Sequence, residues 1–160
     1  MKKKFVIGAT AAILIVAVVA IIISISASPS LVLKNKDTGK VYMKIPINDG
    51  EEFSVTFVHS VNQSPVTDVY EIRQGQIYIV RTIYYDFGAG VPTELYGNQT
   101  FSFGKNGEMI ISDMDTYIPN LIYIVGTVSD HTLSVNGGEK ISLRDTCGRN
   151  SPVKFCCTGF

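Results

Sequence analysis

The 160-residue chain sets 14 lysines and arginines against 14 aspartates and glutamates, and 46% of it is hydrophobic. Three of the basic residues are Lys2, Lys3 and Lys4, which leaves 11 basic against 14 acidic residues in the remainder. A mildly acidic body lacks the concentrated basic surface that nucleic acid requires, so no nucleic-acid partner is expected.

Phe5 through Ile25 contains no charged residue. An apolar run of about 20 residues is long enough to cross a bilayer as a helix. A cleavable signal peptide is the rival reading, but its apolar region runs to only about 7–15 residues. The small residues Ser24, Ser26 and Ala27 match a cleavage site weakly, and no cysteine follows that would carry a lipoprotein anchor. Residues 1–27 therefore read as a single-pass signal-anchor inserted through residues 5–25. The lysines stay cytoplasmic and the C-terminal domain lies outside the cell membrane.

Residues 28–30 read as a short linker and 31–155 as one extracytoplasmic domain, with a Cys-containing tail at 156–160. A domain of this size buries enough surface to need neither metal nor disulfide. In chain order, Leu31–Leu33 and Val41–Met43 flank an Asp37/Gly39 turn, and Phe53, Val55 and Phe57 alternate with polar residues. Alternation resumes over Val69–Ile72 and Ile77–Tyr85, joined by Gln74-Gly75, a hairpin signature. Shorter candidates follow at Thr100–Phe103, Met109–Ile111, Leu121–Val125, Thr132–Val135 and Lys140–Leu143, separated by Gly and Asn turns. Nothing after the anchor sustains a 3.6-residue period. The fold class is all-β, an antiparallel β-sandwich or barrel-like domain.

Polar residues where packing does not ask for them mark the candidate working surface. Matching Phe57 with Tyr70 and Val55 with Ile72 across the 53–60/66–72 hairpin places His59 opposite Asp68. A His–carboxylate pair serves as a general base with its orienting partner, a metal ligand with its support, or a pH-sensitive clasp. A structural hydrogen bond that ends the strand is the bland alternative. Ser60 neighbours His59 but points to the opposite face of a strand. Ser64 lies in the turn, and no G-x-S-x-G elbow accompanies it. Asp86 precedes Phe87-Gly88-Ala89-Gly90-Val91-Pro92, whose Gly88 and Gly90 permit an anion-binding array of backbone N–H groups or simply a tight turn. No helix follows, which argues against a dinucleotide site. His131, with His59, Asp68 and Asp86, has the donor types of a metal site, but scattered ligands rarely converge and no metal or other cofactor is expected. Cys147 is spaced to close a short loop onto Cys156 or Cys157 in an oxidising compartment, leaving one thiol over.

The chain resembles the bacterial domain-of-unknown-function family numbered 1850. The resemblance rests on His59-Ser60-Val61, Pro65-Val66, the acidic Asp68, Phe87-Gly88-Ala89-Gly90-Val91-Pro92, and a later match of Val125-Gly126 with His131 and Leu133. Relative to that family, Asp68 replaces a common glutamate and Asp86 a common serine. Members are often encoded beside TRAP transporters of the TAXI type, which import carboxylate solutes with an extracytoplasmic binding protein. The resemblance thus implies a transport accessory whose partners are a TAXI-type binding protein, a TRAP permease or a small carboxylate solute. Two alternatives stand beside it. One is a secreted hydrolase using the His59–Asp68 pair, and the other a structural assembly or adhesion domain linked through its cysteines.

Overall fold

A computed structural model describes residues 28–61, 63–86 and 94–160. The expected anchor at 1–27 and the Gly88 and Gly90 turn lie outside the described residues. No helix among those described is long and apolar enough to cross a membrane.

Among the described residues the chain forms two antiparallel sheets. The smaller contains β1 (Ser30–Asn35), β2 (Val41–Pro46), β9 (Ile122–Ile124) and β12 (Pro152–Thr158), in the order β2-β1-β12-β9. The larger contains β3 (Glu52–Val58), β4 (Pro65–Arg73), β5 (Gln76–Tyr84), β6 (Thr100–Phe103), β7 (Met109–Ser112), β8 (Thr116–Tyr117), β10 (Thr132–Val135) and β11 (Ile141–Ser142). Its order is β11-β10-β3-β4-β5-β7-β6, with β8 pairing on β5. One core lies between the sheets. Leu31, Leu33, Val153 and Phe155 from the small sheet meet Phe53, Val55, Tyr70, Ile72 and Leu133 from the large one. Phe53 stacks on both Tyr70 and Phe155, at centroid distances of 5.0 and 5.8 Å. The antiparallel all-β expectation therefore holds, and period-2 alternation is what located it.

The Gln74-Gly75 hairpin forms as its sequence asks. Both residues have positive φ (51° and 72°), as a two-residue turn of the primed type requires. Phe160 packs so close to Gly75 that an added Cβ would lie 2.8 Å from it.

Several boundaries differ from the sequence reading. Ser30 is not linker: it begins β1, pairs with Thr158 and Pro46, and is 2% exposed. Cys156 and Cys157 are not a tail, because they sit within β12 opposite Val32 and Leu31. A one-turn helix, α1 (Leu143–Cys147), follows β11, capped by the Ser142 side chain accepting from the Asp145 N–H. Five residues are too few to show a 3.6-residue period, so only the cap was there to be read. The expected Cys147 loop closure is not made, and all three cysteines are free. Cys147 ends α1 just before β12 begins, whereas Cys156 and Cys157 lie near the far end of that strand. Burial pushes the Cys147 and Cys157 thiols up to about 11.

The first described residues and the singled-out His59, Asp86 and His131 lie at opposite ends of the sandwich. Pro29 accepts the Ile47 N–H, and Ser30 lies at the end that also holds the Gln74-Gly75 turn and Phe160. The His59 turn, Asp86, His131 and the start of β12 lie at the other end.

Candidate functional site

The β3–β4 register decides where the singled-out residues fall. Val55 pairs with Asp68, Phe57 with Val66, and Phe53 with Tyr70. The expected His59–Asp68 pairing is therefore displaced by four positions. An even slip keeps every side chain on its face, so apolar matching cannot distinguish the two registers. Turn closure does. The His59 N–H donates to the Ser64 carbonyl at 2.9 Å, and the Gln63 N–H donates back to the His59 carbonyl at 2.9 Å. Gln63 takes a left-handed φ of 53° to close the loop. His59 then sits about four strand residues from Asp68, roughly 13 Å along β3. Its Nδ1 accepts the Val61 N–H at 3.3 Å instead. The hydrolase reading loses the pair it rested on. Ser60 and Asp86 are exposed at the same end.

Asp68 points into the sheet's inner face. Directly opposed residues share a face, so the pairings trace one row, Leu133–Val55–Asp68–Thr82–Ile111–Phe101. Leu133 and Val55 are fully buried, Ile111 and Thr82 nearly so. Asp68 is the one charged residue in the row. Its Oδ1 accepts from Thr82 Oγ1 at 2.9 Å, and its Oδ2 accepts from the Tyr123 hydroxyl at 2.7 Å. The Tyr70 and Tyr123 hydroxyls lie 2.6 Å apart. Because Tyr123 donates to Asp68, Tyr70 is the donor to Tyr123. The relay Tyr70→Tyr123→Asp68 joins the large sheet to β9 of the small one.

No ion pair among the described residues includes Asp68. Burial raises its pKa, and the hydrogen bonds from Tyr123 and Thr82 only partly offset this. Burial and the Asp68 charge together push the Tyr70 and Tyr123 hydroxyls well above the usual phenol range. Tyr84 is raised in the same way. The arrangement can hold a proton on Asp68, or offer a carboxylate to a donor or cation, without any built-in counter-charge.

His131 closes the cluster. It stacks on Phe57 at 5.5 Å and meets Tyr123 edge-on at 5.7 Å. Its Nδ1 accepts the Gly126 N–H at 3.1 Å, so the neutral ring carries its hydrogen on Nε2. An added Cβ at Gly126 would lie 2.1 Å from the Ser129 carbonyl oxygen, so the tight turn requires glycine there. Burial lowers the His131 pKa and Arg144 adds to this, against the opposing charge of Asp130. The net effect favours the neutral form of His131.

His131 and Asp68 flank the same tyrosine, whereas His59 stands apart in its turn. Among the described residues, no three His, Cys, Asp or Glu residues gather as metal ligands would. Tyr70, Tyr123 and Thr82 were not singled out by sequence, because inward tyrosines in strands read as core. The available signal was Asp68 itself, which occupies the apolar phase of Val66, Tyr70 and Ile72.

A second feature lies on the opposite face of the large sheet. A groove of about 540 Å³ is lined by Glu52, Glu71, Arg73, Arg81, Asp113 and Asp115, among others. Arg81 pairs with Glu52, and Arg73 with Glu71 and Asp115. Asp113 accepts from the Thr100 hydroxyl at 2.7 Å.

Comparison with known proteins places this geometry in a family. Residues 53–143 match the family described as Domain of unknown function (DUF1850), a span of more than half the chain. The protein belongs to the DUF1850 family. The match runs from the second residue of β3 through β11 to the first residue of α1, and takes in Asp68, Tyr70, Thr82, Tyr123 and His131. No curated protein and no solved structure gives a significant match.

Proposed function

We propose that this DUF1850 protein is a membrane-anchored, extracytoplasmic accessory of a carboxylate uptake system of the TAXI-type TRAP class, and that it contacts a transporter component or the solute. The observation that carries this reading is the polarity of the domain. The apolar run Phe5–Ile25 precedes the Ser30 end in sequence, and His59, Ser60, Asp86 and His131 lie at the other end, with Asp68 midway along β4. Family membership supports the transport association, which the resemblance implies through gene neighbourhood. A carboxylate kept without a cation inside a β-sandwich supports a binding or proton-linked role, because packing alone would replace it with an apolar residue.

The test is uptake of labelled carboxylates in the native host. Deletion of the gene is expected to slow uptake, and wild-type protein to restore it. Asp68→Asn and His131→Gln are expected to fail in restoring it while accumulating at normal levels in the membrane fraction. Unchanged uptake in the deletion strain would overturn the accessory reading. Full rescue by both variants would remove this cluster from it.

A further inference from the structure

We infer that β6 is an interface between two copies of this chain. The copies pair their β6 strands antiparallel about a two-fold axis through Ser102, which joins their large sheets into one. The inference goes beyond the transport reading and does not depend on it.

The edges of the two sheets are not alike. An open edge strand offers unpaired N–H and C=O groups to other chains, and proteins blunt such edges with charge, proline, bulges or brevity. β2 carries Lys44, Pro46 and a register shift opposite Leu33 and Lys34. β9 has three residues, and β11 has two and leads straight into α1. β6, Thr-Phe-Ser-Phe, has no charge, proline or register shift, and all four of its residues are exposed. Among the described residues no strand lies against its outer edge.

The main chain dictates how a partner aligns. The Gly104 N–H donates to the Glu108 carbonyl at 2.8 Å, across the turn that joins β6 to β7. Hydrogen bonding alternates along an antiparallel strand, so Ser102 and Thr100 also turn toward β7, opposite Ile110 and Ser112. Phe101 and Phe103 therefore direct their N–H and C=O groups outward. A partner strand has to set its own free groups against these. In a second copy the free groups again belong to Phe101 and Phe103. An axis through Ser102 puts Phe101 of each copy opposite Phe103 of the other, and each such pair exchanges both backbone hydrogen bonds.

The side chains agree with the main chain. Phe101 and Phe103 oppose Ile111 and Met109, which oppose Thr82 and Tyr84, so both rings stand on the inner face. They touch edge-on at 5.1 Å and are still 42% and 64% exposed. A two-fold axis normal to the sheet keeps the faces aligned, so the four rings meet on one side as cross-strand aromatic pairs. The strand carries no charge for a like copy to repel, and Lys105 and Glu108 lie in the turn beyond it.

Area and closure select a second copy as the occupant. Tyr96, in the turn that closes onto Gln99 just before β6, is 68% exposed. At about 150–250 Å² for each aromatic side chain, Tyr96, Phe101 and Phe103 leave roughly 250–450 Å² uncovered per copy. Doubled, and with the paired main chain and flanking turns added, this reaches about 1,000 Å², the lower bound for a specific interface. An isologous pairing also closes on itself, so it removes the open edge without propagating into a fibre.

The test is disulfide trapping in the purified full-length protein. Ser102→Cys places a thiol on the axis, where the two Cα atoms stand about 4.5 Å apart, within disulfide reach. Lys105→Cys is the control, because that position is exposed but its two copies lie roughly 20 Å apart along the strands. Wild type, treated alike, reports any linkage through Cys147, Cys156 and Cys157. Under mild oxidant, Ser102→Cys is expected to form covalent dimer at least tenfold faster than Lys105→Cys or wild type. Light scattering of the wild type is expected to give the mass of two chains. Phe103→Glu is expected to return it to one chain and, combined with Ser102→Cys, to slow trapping at least tenfold. Its circular dichroism spectrum is expected to match that of the wild type, since Phe103 is largely exposed. Equal trapping at 102 and 105, a dimer that survives Phe103→Glu, or a single-chain mass for wild type at high micromolar concentration would each overturn the β6 pairing. Trapping of Ser102→Cys only onto another protein in host membranes would overturn it too, and would mean that the edge takes a foreign strand.

Discussion

Two faces of the same sheet carry carboxylates in opposite ways. On the outer face, Glu52 and Glu71 meet Arg81 and Arg73 in a solvent-lined groove. On the inner face, Asp68 is bonded by hydroxyls alone, between Val55 and Thr82. The outer arrangement is what any solvated sheet adopts, and exposed pairs of this kind contribute little. The inner one works against folding, since a carboxylate withdrawn from water without a cation is disfavoured. The contrast separates charge that decorates the surface from charge retained in spite of its cost. It directs functional attention to Asp68 and away from the solvent-lined groove.

The largest expected effect that tests this contrast is on the hydroxyl relay. Tyr123→Phe removes the donor to Asp68 and the acceptor for Tyr70 in one step, leaving buried polar groups unsatisfied. A loss of about 1–3 kcal/mol is expected at neutral pH. The loss should be smaller in acid, where Asp68 is protonated and its bonds no longer involve a charge. Denaturant unfolding at two pH values checks both statements. An unchanged midpoint would mean that water replaces the hydroxyl, and that Asp68 is less withdrawn than its row implies.

Asp68→Asn probes the same carboxylate from the other side. The folded-state pKa of Asp68 is raised, so the folded state holds the proton more tightly than the unfolded chain does. Its contribution to stability is fully present below the ordinary aspartate range and is lost as pH rises through the raised value. The variant should therefore be more stable than wild type at neutral pH, and less dependent on pH between the ordinary aspartate range and neutrality. A gain in stability together with a loss of uptake would be the signature of a functional residue kept at the expense of the fold.

His131 has the opposite sign. Its folded-state pKa is lowered, so its contribution is present above the ordinary histidine range and lost as pH falls below it. His131→Gln should flatten the acid side of the stability curve, below the ordinary histidine range. The same variant also gives up the stack on Phe57, so a modest fall in the neutral plateau accompanies the flattening.

Much of the fold was legible because its strands alternate. The hairpin at Gln74-Gly75 and the limits of Thr132–Val135 follow directly from turn residues and period-2 hydrophobicity. The site was half legible. His59, Asp68 and His131 stood out as polar residues against apolar strands, but their grouping depends on a register that face matching leaves ambiguous in steps of two. The His59–Ser64 closure, set by a left-handed Gln63, resolved it and broke the expected pair. Tyr70 and Tyr123 were invisible as site residues because an inward tyrosine looks the same whether its hydroxyl idles or meets a carboxylate across the sandwich. Cys156 and Cys157 were misread for a related reason. Near a chain end, the short Val153–Cys157 alternation gave no hint that it forms the strand between β1 and β9.

The smallest expected effect belongs to the outer face and completes the contrast. Arg81 approaches Glu52 with two nitrogens, and both side chains remain more than a third exposed. A double-mutant cycle on Arg81→Met and Glu52→Gln should give a coupling of about 0–1 kcal/mol that shrinks in high salt. The Tyr123–Asp68 coupling, measured in the same way, should exceed it and resist salt more, because that pair is partly buried between the sheets. If the two couplings came out equal and equally sensitive to salt, Asp68 would be solvated like its outer counterparts. The distinction between the two faces would then be one of position only, and the reason for assigning function to the inner carboxylate would be gone.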